Sequence, residues 1–382
     1  MTGAAHGQAE TRLDSPYGSF ELRRYPARKR ELLRAWDAAD EYLLHSEPLA
    51  EGRCLVVNDG FGALSLALAS KRPVNWSDSW LAQHALKLNL ERNAIAPGTV
   101  PCVPSTEQPT GCFDSVWIKL PKNLGLLQHQ LLQLRNCVTP GTRILLTGMI
   151  RNMPSSVWQL AETLLGPTLT LPGRKKAKLI QVGFDPALRV APSRFPLRWP
   201  LPGTDLVLHN HANVFSRDRL DPGARLLMEN LPSVDDNADV IDLGCGNGVL
   251  GLMIARANPE SNVRLVDESF MAVESAQRNL QQLADRPGQI EVIAGDGLTG
   301  FAGSSADLVL CNPPFHQQHS LNDTIAVSMF SGARRVLRPG GVLWVVGNRH
   351  LGYHKTLKRW FKRVELVASN RKFVVLRAAR GC

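Results

Sequence analysis

The chain has 382 residues, 44% hydrophobic and 20% charged, which is enough apolar content for two cores and too much length for one ordinary domain. No run approaches the roughly 18 apolar residues that span a bilayer, and the first residues, MTGAAHGQAE, have neither the charged start nor the apolar stretch of a signal peptide, so a cytoplasmic protein without a membrane partner is expected. The seven cysteines are scattered, odd in number and form no CxxC pair, which argues against a disulfide framework or zinc cluster, while a net charge of +10 suits a polyanionic partner.

The excess charge is uneven. Residues 1–195 hold 23 Lys+Arg against 16 Asp+Glu, and residues 196–382 hold 21 against 18. Basic groups cluster at Arg23, Arg24, Arg28, Lys29, Arg30 and Arg34, at Arg174, Lys175, Lys176 and Lys178, and from Lys355 to Arg363. Along the first half, RCLVVNDGFGALSLALA reads as an apolar strand, a glycine turn and a helix, and PVNWSDSWLAQHALKLNLERN as a second strand and helix. FDSVWIKLPKN is a further strand, LLQLRNCVTPGTRILLTGM a helix, turn and strand, and RKKAKLIQVGF a last strand. From Asp185 to Pro202, five prolines in eighteen residues oppose helix and central strand alike. This segment divides the chain into domains at 1–190 and 191–382.

The second half repeats the order. ADVIDLGCGNG and VLGLMIARANP match the first strand, turn and helix, and VRLVDES with the helix from Ala272 to Leu283 matches the second pair. QIEVIAGDG and ADLVLCNPPF are strands, and GARRVLRPGGVLWVVGN and NRKFVVLRA complete the parallel with the first half. Strands alternating with helices predict parallel, doubly wound α/β sheets, so the chain reads as two tandem Rossmann-like domains.

The polar residues gather at predicted strand ends in the second half. Asp242, Gly244, Gly246 and Gly248 lie between strand and helix, where glycine permits a sharp turn and close approach to a ligand. Asp267 ends the second strand, where a carboxylate is suited to both ribose hydroxyls, and Asp296 ends the third, suited to an adenine amino group. Asn312-Pro313-Pro314-Phe315 ends the fourth. An exocyclic amine is a poor nucleophile because its lone pair is delocalised. The Asn312 side-chain oxygen and the Pro313 carbonyl can accept from both N–H groups and aim the lone pair, while Phe315 offers a stacking face. This pattern points to methyl transfer to an amine on a planar substrate.

The first half lacks these parts. Asn58 is expected in the slot of Asp242, Leu64 in that of Gly248, and Lys119 to Lys122 in place of Asn312 to Phe315, with Asp78 retained in the slot of Asp267. A degenerate copy converted to RNA binding follows, with Lys119, Lys122, Arg174, Lys175 and Lys176 as candidate contacts. Cys311 raises the alternative of a thiol nucleophile, although its apolar run favours a core position. His209, His211, His316 and His319 lack companion carboxylates or cysteines at metal spacing, so no metal is expected. Phe215 is placed either over the methionine end of the cofactor or in the core.

HNHANVFSR (209–217), DLGCGNG (242–248), NPPFHQQH (312–319), NRH (348–350) and AWDAADEYLL (35–44) together resemble the RlmG-type bacterial 23S rRNA guanine-N2 methyltransferases, related to the RsmC-type small-subunit enzymes. The resemblance spans nearly the whole chain. It implies S-adenosylmethionine at Asp242, Gly244, Gly246, Asp267 and Asp296, a guanine at Asn312, Pro313 and Phe315, and 23S rRNA as partner. A monomer is expected. Two alternatives stay open on the residues alone: methylation of DNA adenine or a protein glutamine, and a non-catalytic RNA-binding module.

Overall fold

Short apolar runs bounded by glycine, asparagine or proline become strands, and the longer stretches between them become helices. The computed structural model describes residues 9–28, 31–46, 51–283, 287–314 and 319–381. Lys29, Arg30, Phe315 and His316 lie outside the described residues, as does the side chain of His319. The chain forms two compact units, residues 1–194 and 195–382.

The N-terminal unit opens with the hairpin β1 (Arg12–Ser15) and β2 (Gly18–Glu21) and helix α1 (Ala38–Ser46). Then follow β3 (Cys54–Val57), α2 (Ala63–Ala67), β4 (Val74–Ser77), α3 (Trp80–Arg92), β5 (Cys102–Pro104), β6 (Ser115–Lys119), α4 (Leu124–Leu134), β7 (Arg143–Met149), α5 (Ser156–Leu164), β8 (Thr168–Thr170) and β9 (Ala177–Val182). Their sheet runs β5-β4-β3-β6-β7-β9-β8.

The C-terminal unit repeats this with a hairpin, β10 (Leu197–Pro200) and β11 (Val207–Asn210), and helix α6 (Pro222–Met228). Next come β12 (Asp239–Leu243), α7 (Val249–Ala257), β13 (Asn262–Asp267), α8 (Phe270–Leu280), β14 (Ile290–Ala294), β15 (Ala306–Cys311), α9 (His319–Val336), β16 (Leu337–Asn348), α10 (Tyr353–Leu357), β17 (Arg363–Ser369) and β18 (Phe373–Ala379). The sheet runs β14-β13-β12-β15-β16-β18-β17, the same order.

Each sheet is mixed, not purely parallel as expected. The first five strands pair in parallel and the last two antiparallel. The connections explain this: β8–β9 and β17–β18 are joined by turns too short for the crossover a parallel pair needs. The proline-rich segment also holds a strand, because β10 in its two-stranded sheet leaves an edge on which Pro200 is tolerated. In each unit apolar side chains pack on both sheet faces, around Trp117 and Trp76 in one and around Leu265 and Phe330 in the other.

Polar contacts fix how the two copies correspond. Asn279 of α8 donates to the carbonyls of His209 and Asn247 and accepts the His209 amide, tying the hairpin to the sheet. Asn89 of α3 makes the same three bonds with Arg23 and Phe61. Both asparagines are fully buried and both lie ten residues after a capping serine, Ser79 or Ser269.

This register corrects three expected pairings. Asn58 matches Gly244 and not Asp242: each donates its amide to the neighbouring strand, to Trp76 or Val266, with φ of 62° and 71°. Asparagine tolerates that left-handed conformation, so the turn survives the loss of glycine. The third glycine is not lost, for Gly62 caps α2 as Gly248 caps α7. A Cβ on Gly62 would lie 2.7 Å from Leu86, and one on Gly248 2.8 Å from Ala276, so each admits the next helix. Leu64 therefore matches Leu250. Ser77, not Asp78, stands opposite Asp267, since Ser79 and Ser269 donate their amides to Ser77 and Asp267 respectively.

Candidate active site

The C-terminal ends of the parallel strands bring the expected residues to one edge of the second sheet. Gly244, Gly246 and Gly248 all have positive φ, and a Cβ on Gly246 would meet nothing within 4 Å. The loop is thus open on the side where a ligand would lie. Asp267 is half-buried, with Oδ2 accepting the Gly246 amide at 2.9 Å and Oδ1 the Ser269 amide at 3.0 Å. Burial raises its pKa, partly offset by these amides. Each oxygen keeps acceptor capacity for a hydroxyl donor.

Asp242 works differently from a direct ligand contact. It is 1% exposed, and its Oδ2 accepts the Gly251 amide of α7 at 2.8 Å. Burial pushes its pKa up to about 7 despite that bond, and the Asp267 charge adds to the rise. It braces strand and helix around the glycine turn. Asp296 lies two residues past β14, half-buried, and accepts from the Thr299 hydroxyl at 3.3 Å.

Asn312 follows β15. Its Nδ2 donates to Asp221 Oδ2 across a long 3.4 Å, and that same oxygen accepts the Ala224 amide as the N-cap of α6. The Asp221 carboxylate acts here as an acceptor, so the amide group of Asn312 faces it and Oδ1 faces away. This Oδ1 is buried and has no hydrogen-bond partner among the described residues. A buried acceptor without a donor is costly, by roughly 1–3 kcal/mol, and marks a place where a donor belongs. Pro313 is buried beside it.

Two further residues shape this edge. Asp221 carries a legible signal, an N-cap aspartate followed by proline at the first helical position. Asn348 ends β16, is 5% exposed, and also has a buried Oδ1 without a partner among the described residues. Strand alternation puts it on the same sheet face as Asn312, the face packed by Leu310, Trp344, Val346 and α6. Sequence reading caught Asn348 only within the NRH segment, because a strand-end asparagine has no signal of its own.

The weaker candidates separate cleanly. Cys311 is fully buried, and burial pushes its thiol far up, so it stays protonated in the core. His211 lies 3.1 Å from Glu274, and among the described residues no cluster of metal-ligating side chains exists. Phe215 is 52% exposed in the turn between β11 and α6, so it is not a core residue.

In the N-terminal copy, β6 sets Lys119 in the place of Asn312. Lys119, expected on an RNA-binding face, is instead half-buried and paired inward. Its Nζ lies 2.7 Å from Asp37 and 2.8 Å from Asp40, and the side chain is 14% exposed. Asp37 accepts the Ala39 and Asp40 amides at the start of α1, as Asp221 does for α6. Burial raises the Asp40 pKa to about 6 although Lys119 opposes it. Here the place of Asn312 is taken by an ion triad. Lys122 and Lys176 are exposed, Arg174 stacks 5.7 Å over the Tyr42 ring, and Lys175 pairs with Glu41 at 2.8 Å.

This sheet order, with an open glycine turn and a carboxylate after the second strand, fits the nucleoside of S-adenosylmethionine and places the chain among the methyltransferases that use it. Residues 205–377 match the methyltransferase small domain and residues 10–186 the RLMG N-terminal domain. The ribosomal RNA large subunit methyltransferase G of Pseudomonas putida is 47% identical, over 96% of this chain and 99% of the relative, and that of Streptomyces coelicolor 45%, over 96% and 100%. The chain therefore belongs to the ribosomal RNA large subunit methyltransferase G family. The same fold is seen in the Thermus thermophilus 16S rRNA N2 G1207 methyltransferase RsmC, solved with AdoMet and guanosine, with a TM-score of 0.79, 24% identity and 97% of each chain covered.

Proposed function

We propose that this chain methylates the N2 amine of one guanosine in the 23S rRNA of the large ribosomal subunit. The observation that carries it is the buried, partnerless Oδ1 of Asn312, held by Asp221 at the edge of the glycine turn. Guanine N2 supplies two N–H donors, which suit Asn312 Oδ1 and the Pro313 carbonyl, and the aromatic ring of Phe315 is of a type suited to stacking on a base. The relatives named for large-subunit rRNA support the substrate class.

S-adenosylmethionine supplies an electrophilic methyl group when bound. Asp267 would hold its ribose hydroxyls and Asp296 its adenine amino group, Gly244 and Gly246 would let it approach the turn closely, and Phe215 would contact its methionine end. Asn312 and Pro313 fix the amine so that its lone pair faces the methyl donor, the positioning on which an in-line displacement depends. Residues 1–190 add RNA contacts through Lys122, Arg174 and Lys176. An rRNA substrate puts the enzyme, acting as a monomer, in the cytoplasm.

Asn312→Ala tests this. Turnover on 23S rRNA, followed by nucleoside mass spectrometry of N2-methylguanosine, should fall by about 10²-fold or more, since misplacing a reacting group by about 1 Å costs that much. Calorimetric S-adenosylmethionine affinity should not change, because the contact is made to the amine. Turnover near wild type, or methyl found on another base, would overturn the assignment.

A further inference from the structure

The net charge of the C-terminal half hides a strong internal division. Residues 349–372 hold eight Lys+Arg against one acid, Glu365, whereas the other residues of 196–382 hold 13 against 17. Glu365 is itself held by Arg363 and Arg377. The cationic excess of this unit therefore lies in one segment, between the end of β16 and the start of β18.

The fold gathers part of that segment into a concavity. Arg349, His350, Arg371 and Lys372 line an open hollow of about 560 Å³, and all four are exposed. The Arg349 amide donates to the Lys372 carbonyl at 2.9 Å, and its guanidinium to the Asn370 carbonyl at 2.7 Å, which fixes the two turns together. Among the described residues no acidic side chain pairs with any of these four. The hollow adjoins the site: Arg349 and His350 directly follow Asn348, and Lys372 precedes Phe373, its partner across β16 and β18.

The corresponding turn of the N-terminal unit is neutralised. By strand register Lys175 and Lys176 match Arg371 and Lys372, yet Lys175 pairs with Glu41, four residues after the capping Asp37. Four residues after Asp221 stands Arg225, so the catalytic unit carries a cation at the position of that acid. Positive charge kept unpaired beside a site for an RNA base is suited to the phosphates flanking that base.

We propose that Arg349, His350, Arg371 and Lys372 form a phosphate-binding groove of the catalytic unit that seats the RNA backbone next to the target guanosine. This rests on the rRNA reading above. The groove makes the catalytic unit a binder of RNA in its own right, beyond any contacts of residues 1–190.

The test uses the full chain and protein-free 23S rRNA, comparing wild type with Arg371→Ala/Lys372→Ala. Two lost phosphate contacts on single-stranded RNA should make the log–log salt slope shallower by about 1.4. Between 50 and 200 mM salt the wild type should then lose about sevenfold more affinity than the variant. KM for RNA should rise, while kcat at saturating RNA and S-adenosylmethionine affinity stay unchanged. An unaltered slope and KM, in a setting where the wild type methylates this rRNA, would overturn the groove and leave the substrate assignment intact. A wild type that neither binds nor methylates the rRNA would remove both. A charge-reversed Arg371→Glu/Lys372→Glu chain should deepen the KM effect if the groove is real, and match wild type if it is not.

Discussion

Lys119 and Asn312 occupy the same place after the fourth strand of their sheets, and each is tethered to an aspartate at the start of a helix. The difference lies in what remains unsatisfied. In the N-terminal copy Lys119 meets two carboxylates and the pocket is closed by charge; in the C-terminal copy one bond of Asn312 is spent on Asp221 and one acceptor is left over. A site is recognisable here by incomplete bonding, and its degenerate twin by completeness.

The strongest way to break this comparison is to remove the plug. Lys119→Ala leaves Asp40 buried beside Asp37 without a cation, and losing one partner of a buried pair costs about 3–5 kcal/mol. Urea unfolding should show that loss, and adding Asp40→Asn should recover most of it. A double variant as unstable as the single would mean that Lys119 does something other than neutralise.

Next in size is the carboxylate that the N-terminal copy lacks. Asp267→Ala should weaken S-adenosylmethionine binding by about tenfold to hundredfold, the equivalent of roughly 1.5–3 kcal/mol for hydrogen bonds to a charged group. Ser77→Asp should not create affinity in the other unit, since Val56 and Asn58 replace Asp242 and Gly244 there. Calorimetric binding gained through Ser77→Asp would show that the first copy needs only one residue to regain a cofactor site.

The smallest effect sharpens the electrostatics. The Asp40 pKa is raised to about 6, so its neutral form is the better one to bury. Its contribution is fully present below the ordinary carboxylate value near 4 and is lost as pH rises through about 6. Denaturant midpoints of the wild type should carry this downward component between about pH 4 and 6, and Asp40→Asn should remove it. An identical pH profile in the variant would place the titration elsewhere.

Much of this was legible in the residues. The strand and helix repeats, the Lys119–Asn312 equivalence and the strand-end carboxylates follow from apolar periodicity and turn chemistry. At Asn58, Leu64 and Asp78 the likeness of polar residues suggests a register that the fold does not follow. The fold sets it instead by which residue turns left-handed and which glycine admits the next helix, so that asparagine can stand for glycine and serine for aspartate. Asp221 shows its capping role locally, through the proline that follows it, but its hold on Asn312, like the placing of Asn348, depends on distant elements meeting, and the pairing of Lys119 depends on α1 returning to β6.

Asp37 and Asp221 each cap a helix and tether the residue that follows the fourth strand. A change at either aspartate is therefore felt twice, in helix stability and in loop placement, whereas the tethered residue is free to differ, lysine in one copy and asparagine in the other. The two units therefore agree at the tethering aspartate and differ at the residue it holds. Anyone installing a new transfer chemistry in the first unit should recode Lys119 and its neighbours and leave Asp37 alone.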